Sequence, residues 1–160
     1  MKLITLKGTP AEIGHQHGEL LQEEVRRVWD FYSGALFNSR MAQLEEYGYK
    51  FLEVVREFRS DYATEIIALA EGAGLASWQI AALNARTEIL HNLTDIDVGE
   101  CTAMYFPCTR ALGQNWDWME ELEPLIIVMQ IERADGHRIM QMTEPGIIGK
   151  IGLNSSGLGV

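Results

Sequence analysis

The chain has 160 residues, 47% of them hydrophobic and 22% charged, a composition that suits one soluble compact core. Its formal charge of -10 divides into 9 Lys/Arg against 16 Asp/Glu before residue 101 and 4 against 7 from there on, so neither part offers the basic surface that nucleic acid needs. No run approaches the ~20 apolar residues of a membrane span, and the Gly8-Thr9-Pro10 break comes too early for a secretory leader, so the expected location is the cytoplasm.

Residues 1–7 alternate apolar and polar, which predicts a short strand ended by Gly8. A helix start follows. Thr9 is placed as N-cap, Pro10 suits the first helical position, and Glu12 completes a T-x-x-E capping box. Helical spacing then runs to about residue 37 through Leu21, Val25, Val28 and Trp29. A second helix is predicted over 40–59, a third over 63–71 with Ser60-Asp61 as its cap, and a fourth over 78–91 capped by Ser77. Trp29, Tyr47, Phe51 and Phe58 are predicted core positions. Residues 92–100 read as an acidic loop.

From residue 101 the pattern changes to short apolar runs separated by turn residues, CTAMYFPC, LGQNWDW, LIIVMQIER, RIMQMTE and GIIGKIGL, which predict antiparallel strands. Asp135-Gly136 and residues 154–157 supply turns, and Asn154 is assigned to the second of these. The acidic run Glu120-Glu121-x-Glu123 reads as a solvated loop, His91 as a helix end and His137 as a turn residue. Residues 157–160 read as a returning strand only just begun, so the chain is expected to be a fragment that continues past Val160. The expected organisation is α+β: a helical segment, 1–100, and the start of a sheet-bearing core, 101–160, within one domain.

Two cysteines form neither a disulfide framework nor a metal-binding pair, and residue type alone makes Cys101 and Cys108 buried structural residues. Position singles out Cys101. A thiol at the junction of an acidic loop and a strand has room to attack the carbonyl of Glu100. Cleavage there would free an α-amino group able to take the thiol proton, so nucleophile and base would share one residue. His15 and His17 lie two apart and point about 200° from each other around a helix, which excludes a shared metal ion; Gly14 and Gly18 are read as allowing that helix to approach the sheet or the cleavage loop.

Four blocks then carry a resemblance: 8–18 (GTPAEIGHQHG), 101–105 (CTAMY), 113–118 (GQNWDW) and 144–157 (EPGIIGKIGLNSSG). In this order they resemble the acyl-coenzyme A:6-aminopenicillanate acyltransferase family of N-terminal-nucleophile hydrolases. The resemblance implies an αββα sandwich whose first antiparallel strands begin at Cys101, made as a precursor and cut between Glu100 and Cys101 into chains that stay associated. It implies acyl transfer from a small-molecule acyl amide or coenzyme A thioester to an amine or water, through a Cys101 acyl-enzyme. Coenzyme A would be a substrate, with no metal or bound cofactor. Asp117 occupies the position of the family's active-site aspartate. Thr102 and Asn115, the latter expected to share a strand face with Asp117, are candidates for substrate or oxyanion support. The main oxyanion donors are expected beyond Val160, leaving the 160 residues alone inactive. The competing reading is a non-catalytic or inert truncated domain in which Cys101 is a core residue.

Overall fold

The computed structural model describes residues 1–37, 40–93 and 101–160. The capping box at the start of the first helix forms as its residue types require: the Thr9 N–H donates to Glu12 Oε2 at 2.8 Å and the Glu12 N–H to Thr9 Oγ1 at 3.4 Å. The capped helix, α1 (Pro10–Leu20), follows strand β1 (Lys2–Gly8). It does not run on unbroken to residue 37. Buried Leu21 leaves helical geometry (φ -126°, ψ 27°), α2 (Gln22–Phe31) starts anew, and a π-helical turn, Tyr32–Leu36, finishes the segment.

Then come α3 (Met41–Phe58), α4 (Ser60–Ala73), α5 (Ser77–Asn84) and α6 (Arg86–Leu93), so the predicted fourth helix is two. Ser60 and Ser77 do not cap. Each is already the first helical residue, and at α5 the Gln79 side chain accepts the Ala76 N–H at 2.8 Å instead. Trp29 is buried, and Tyr47 and Phe51 pack partly buried against the core. Phe58, in the last turn of α3, is 80% exposed and not part of the core.

α1 and α4 meet backbone to backbone at Gly14 and Gly18, where a Cβ would run into the carbonyl oxygens of Glu65 and Leu69. The close approach is therefore to α4 and not to the sheet. No helix among the described residues is long and apolar enough to cross a membrane.

The residues after 101 give a hairpin, β2 (Ala103–Phe106) with β3 (Ala111–Gln114), a 3-10 helix, Glu120–Leu125, and then β4 (Ile127–Arg133), β5 (Arg138–Thr143) and β6 (Ile151–Asn154). The main sheet has the order β1-β4-β5-β6. Its later strands are antiparallel as predicted, but β1 joins parallel to β4, so the sheet is mixed. The fold is thus α+β.

Alternation sends Ile4, Leu6, Ile127, Met129 and Ile131 into the helical core. One end of the opposite face of the sheet is also apolar: Leu3 pairs with Val128, Met142 with Val128 and Ile151, and Met140 with Leu153. Leu3, Met140 and Leu153 are exposed there. The Asp135-Gly136 turn forms with Gly136 at φ 85°, and Asn154 Oδ1 accepts the N–H groups of Ser156 and Leu158, the turn role expected of it. Residues 159 and 160 pair back onto Gly152 and Leu153. Residues 144–150, predicted as part of a strand, form an irregular turn between β5 and β6.

Candidate active site

The hairpin β2–β3 continues one pair beyond its strands, because the Asn115 N–H donates to Thr102 O at 3.1 Å and Asn115 Oδ1 accepts the Thr102 N–H. That pairing places Cys101 opposite Trp116. Its Sγ lies 4.0 Å from the carbonyl oxygen of Asp117. Sequence-predicted Cys101, Thr102, Asn115 and Asp117 therefore converge, and all four are exposed.

Three details differ from expectation. β3 ends at Gln114, so Asn115 and Asp117 do not share a strand face. The sulfur meets the backbone of Asp117 and not its carboxylate. Neither cysteine is buried: Cys101 precedes β2, and Cys108 sits in the exposed turn of the hairpin. Glu100 and the expected cleavage loop lie outside the described residues, apart from the 92–93 end of α6.

Asp117 also lines a cavity of about 550 Å³. Trp116, Trp118, Leu122 and Met142 give it an apolar body, and Asp117, Glu120 and Glu123 contribute carboxylates. The acidic run is exposed as predicted, but it lies on the 3-10 helix and not in a loop.

Behind the cavity lies a buried polar cluster that sequence reasoning missed. Glu144 is fully buried, and its Oε1 accepts the Tyr32 hydroxyl at 2.8 Å. The same hydroxyl accepts from Arg86 Nε at 3.1 Å and from Trp118 Nε1 at 2.7 Å, which uses its donor and both lone pairs. Burial, and then the Glu144 carboxylate, push the Tyr32 phenol well above its ordinary range. Glu144 Oε2 stands 3.1 Å from Arg86 Nη2 and 3.9 Å from Lys150 Nζ. It makes these ion-pair contacts without a well-aligned hydrogen bond.

The Lys150 ammonium lies 3.7 Å from the ring centroid of Trp116 and 5.2 Å from that of Trp118. Burial and the Arg86 guanidinium push Lys150 down to about 8, against the opposite pull of Glu144 and Cys101.

The turn carrying Glu144 and Lys150 is fixed from three sides. Gly146 N–H donates to His17 Nε2 at 3.1 Å, Asn84 donates to Gly146 O at 2.9 Å and accepts from the Ile148 N–H at 3.0 Å, and Gln141 donates to Ile148 O at 2.8 Å. His17 is thus a neutral acceptor in the core, while His15 is exposed near Glu19.

Burial lowers His17 to about 4. Its unfolded-state value is about 6.5, so the unfolded chain takes up a proton first, and the contribution of His17 to stability is lost as pH falls from about 6.5 through about 4. Going from about pH 7.5 to about pH 5.5 should cost about 1 kcal/mol through this group. Urea unfolding midpoints at the two pH values, wild type against His17→Gln, measure it. An equal pH dependence in both proteins would remove His17 as the cause.

No family model matches the chain. Over 98% of its length it is similar to the 40 kDa form of acyl-coenzyme A:6-aminopenicillanic-acid-acyltransferase from Emericella nidulans, with 34% identity over 162 residues. It spans 45% of that protein, somewhat under half its length. Over the part of the length that the two share, the chain is thus similar to an acyl-coenzyme A:6-aminopenicillanic-acid-acyltransferase.

Proposed function

We propose that the chain carries the nucleophile of a self-cleaving cysteine acyltransferase or amidohydrolase. The observation that carries this reading is the exposed Cys101 thiol, 4.0 Å from the backbone carbonyl of Asp117, a residue that lines the neighbouring cavity, in a chain whose relative is named for acyl transfer. In the first step the Cys101 sulfur attacks the Glu100 carbonyl carbon, the C–N bond breaks, and the nitrogen leaves as an amine. Water then opens the thioester, giving a carboxylate on Glu100 and restoring the thiol. The freed α-amino group accepts the thiol proton in later turnovers.

An acyl amide or coenzyme A thioester then acylates the sulfur, and an amine or water removes the acyl group. Asp117 supports the amine electrostatically, while Asn115 and Thr102 hold the backbone that presents the sulfur. The apolar end of the main sheet's outer face supports an αββα arrangement, in which a second sheet covers Met140 and Leu153.

Intact-mass measurement after prolonged incubation tests the proposal. Wild-type protein should resolve into two species separated at Glu100–Cys101, and Cys101→Ala should remain whole. A single uncut species from both, or equal cleavage of both, would overturn it.

A further inference from the structure

Two cations, Arg86 and Lys150, share the buried carboxylate of Glu144, and the carboxylate favours Arg86: 3.1 Å separates Glu144 from the guanidinium and 3.9 Å from the ammonium. Tyr32 donates to the other carboxylate oxygen. The cluster therefore holds a surplus positive charge, on Lys150. Indole faces seat that charge, Trp116 at 3.7 Å and Trp118 at 5.2 Å. Trp116 is the residue that hairpin pairing sets opposite Cys101. Cys101 also stabilises the charged form of Lys150, so the sulfur and the ammonium attract each other when both are ionised. The side chain of Lys150 is 19% exposed, which limits screening of that attraction by solvent.

We infer that Lys150 is a positioning residue for the sulfur of Cys101: its ammonium, seated on the Trp116 ring, supplies the positive charge that stabilises the sulfur anion. The inference rests on reading Cys101 as the nucleophile, and it matters most in the uncut chain, where no α-amino group is yet free to help. Arg86 from α6 repels Lys150, Glu144 from the same turn attracts it, Tyr32 is occupied by Glu144, and Asp117 beside the sulfur is exposed to water. A lysine held near 8 makes the support conditional: present below about pH 8, and withdrawn above it as the ammonium loses its proton.

Alkylation of Cys101 by iodoacetamide tests this without acyl transfer or cleavage, in a Cys108→Ser background that leaves one thiol, with uncut chain followed by intact mass. At about pH 7, Lys150→Met should slow alkylation roughly fivefold, and Lys150→Arg should stay within about twofold of the lysine protein. The rate ratio of the Lys150 protein to Lys150→Met should fall toward one as pH rises past about 8, whereas the ratio of Lys150→Arg to Lys150→Met should fall later, only above about pH 8.5 where an unassisted thiol ionises. Ratios near one at every pH, or the same decline with arginine as with lysine, overturn the inference. Should Lys150→Met fail to fold, lysine against arginine decides alone, since a ratio that stays flat through pH 8 overturns it equally. Lysine-dependent alkylation in a chain that never cleaves would leave this inference standing and defeat the proposed function, and cleavage with lysine-independent alkylation would do the reverse.

Discussion

Glu144→Ala should destabilise the chain by about 3–5 kcal/mol, read as a fall in the urea midpoint at unchanged slope. The carboxylate it removes is fully buried and holds three partners at once: the Tyr32 hydroxyl, the Arg86 guanidinium and, more distantly, the Lys150 ammonium. Its loss leaves the buried Arg86 guanidinium without a counter-charge and the Tyr32 O–H without an acceptor. Glu144→Gln should cost less, because an amide oxygen still accepts from Tyr32. Tyr32→Phe should fall between, losing the hydroxyl that Trp118 and Arg86 also use. If Glu144→Ala cost under about 1 kcal/mol, the cluster would not be holding the turn to the helices.

Gly18→Val should cost about 3 kcal/mol by the same measurement. A Cβ at Gly18 would collide with the carbonyl oxygen of Leu69 and come within 2.6 Å of the Ala73 nitrogen and 2.9 Å of the Gly72 carbonyl carbon, all of them backbone that cannot rotate aside. The contact is reciprocal, since a Cβ at Gly72 would meet the His15 carbonyl and lie 2.9 Å from the Glu19 nitrogen. Parting the helices would also lift His17 away from Gly146 and loosen the turn that carries Glu144 and Lys150. Gly113→Ala, where a Cβ would meet open space, is the control and should stay within about 0.5 kcal/mol. Similar costs at the two positions would mean that backbone freedom, and not helix contact, is what Gly18 provides.

What could be read in advance was local. Thr9, Pro10 and Glu12 announce a helix start because the donors and acceptors involved lie within three residues of one another, and the alternation of 127–133 marks a strand with one face inside. Cys101 and Asp117 stood out by position and by matching blocks, and the hairpin does bring them together. The break at Leu21 was invisible because the apolar spacing continues across it. Phe58 keeps the helical period of a core residue and is nonetheless 80% exposed.

The polar cluster escaped for a further reason. Tyr32 and Glu144 are 112 residues apart, and nothing near either one specifies a distant partner. One signal was available. Glu144 and Lys150 belong to the block that carries the family resemblance, and two opposite charges framing Pro145-Gly146 in an otherwise apolar run need a reason to be there.

The parallel pairing of β1 with β4 has a thermodynamic consequence. Seven residues near the start of the chain, Lys2–Gly8, are laddered to seven that follow Cys101, Ile127–Arg133, with Ile4 and Leu6 buried beside Met129 and Ile131. Severing the backbone anywhere between Leu93 and Cys101 would turn an intramolecular fold into a two-chain complex whose persistence depends on concentration. Separation would then require unzipping a sheet and wetting its core face, so the fragments would come apart at the pace of unfolding and not of simple dissociation.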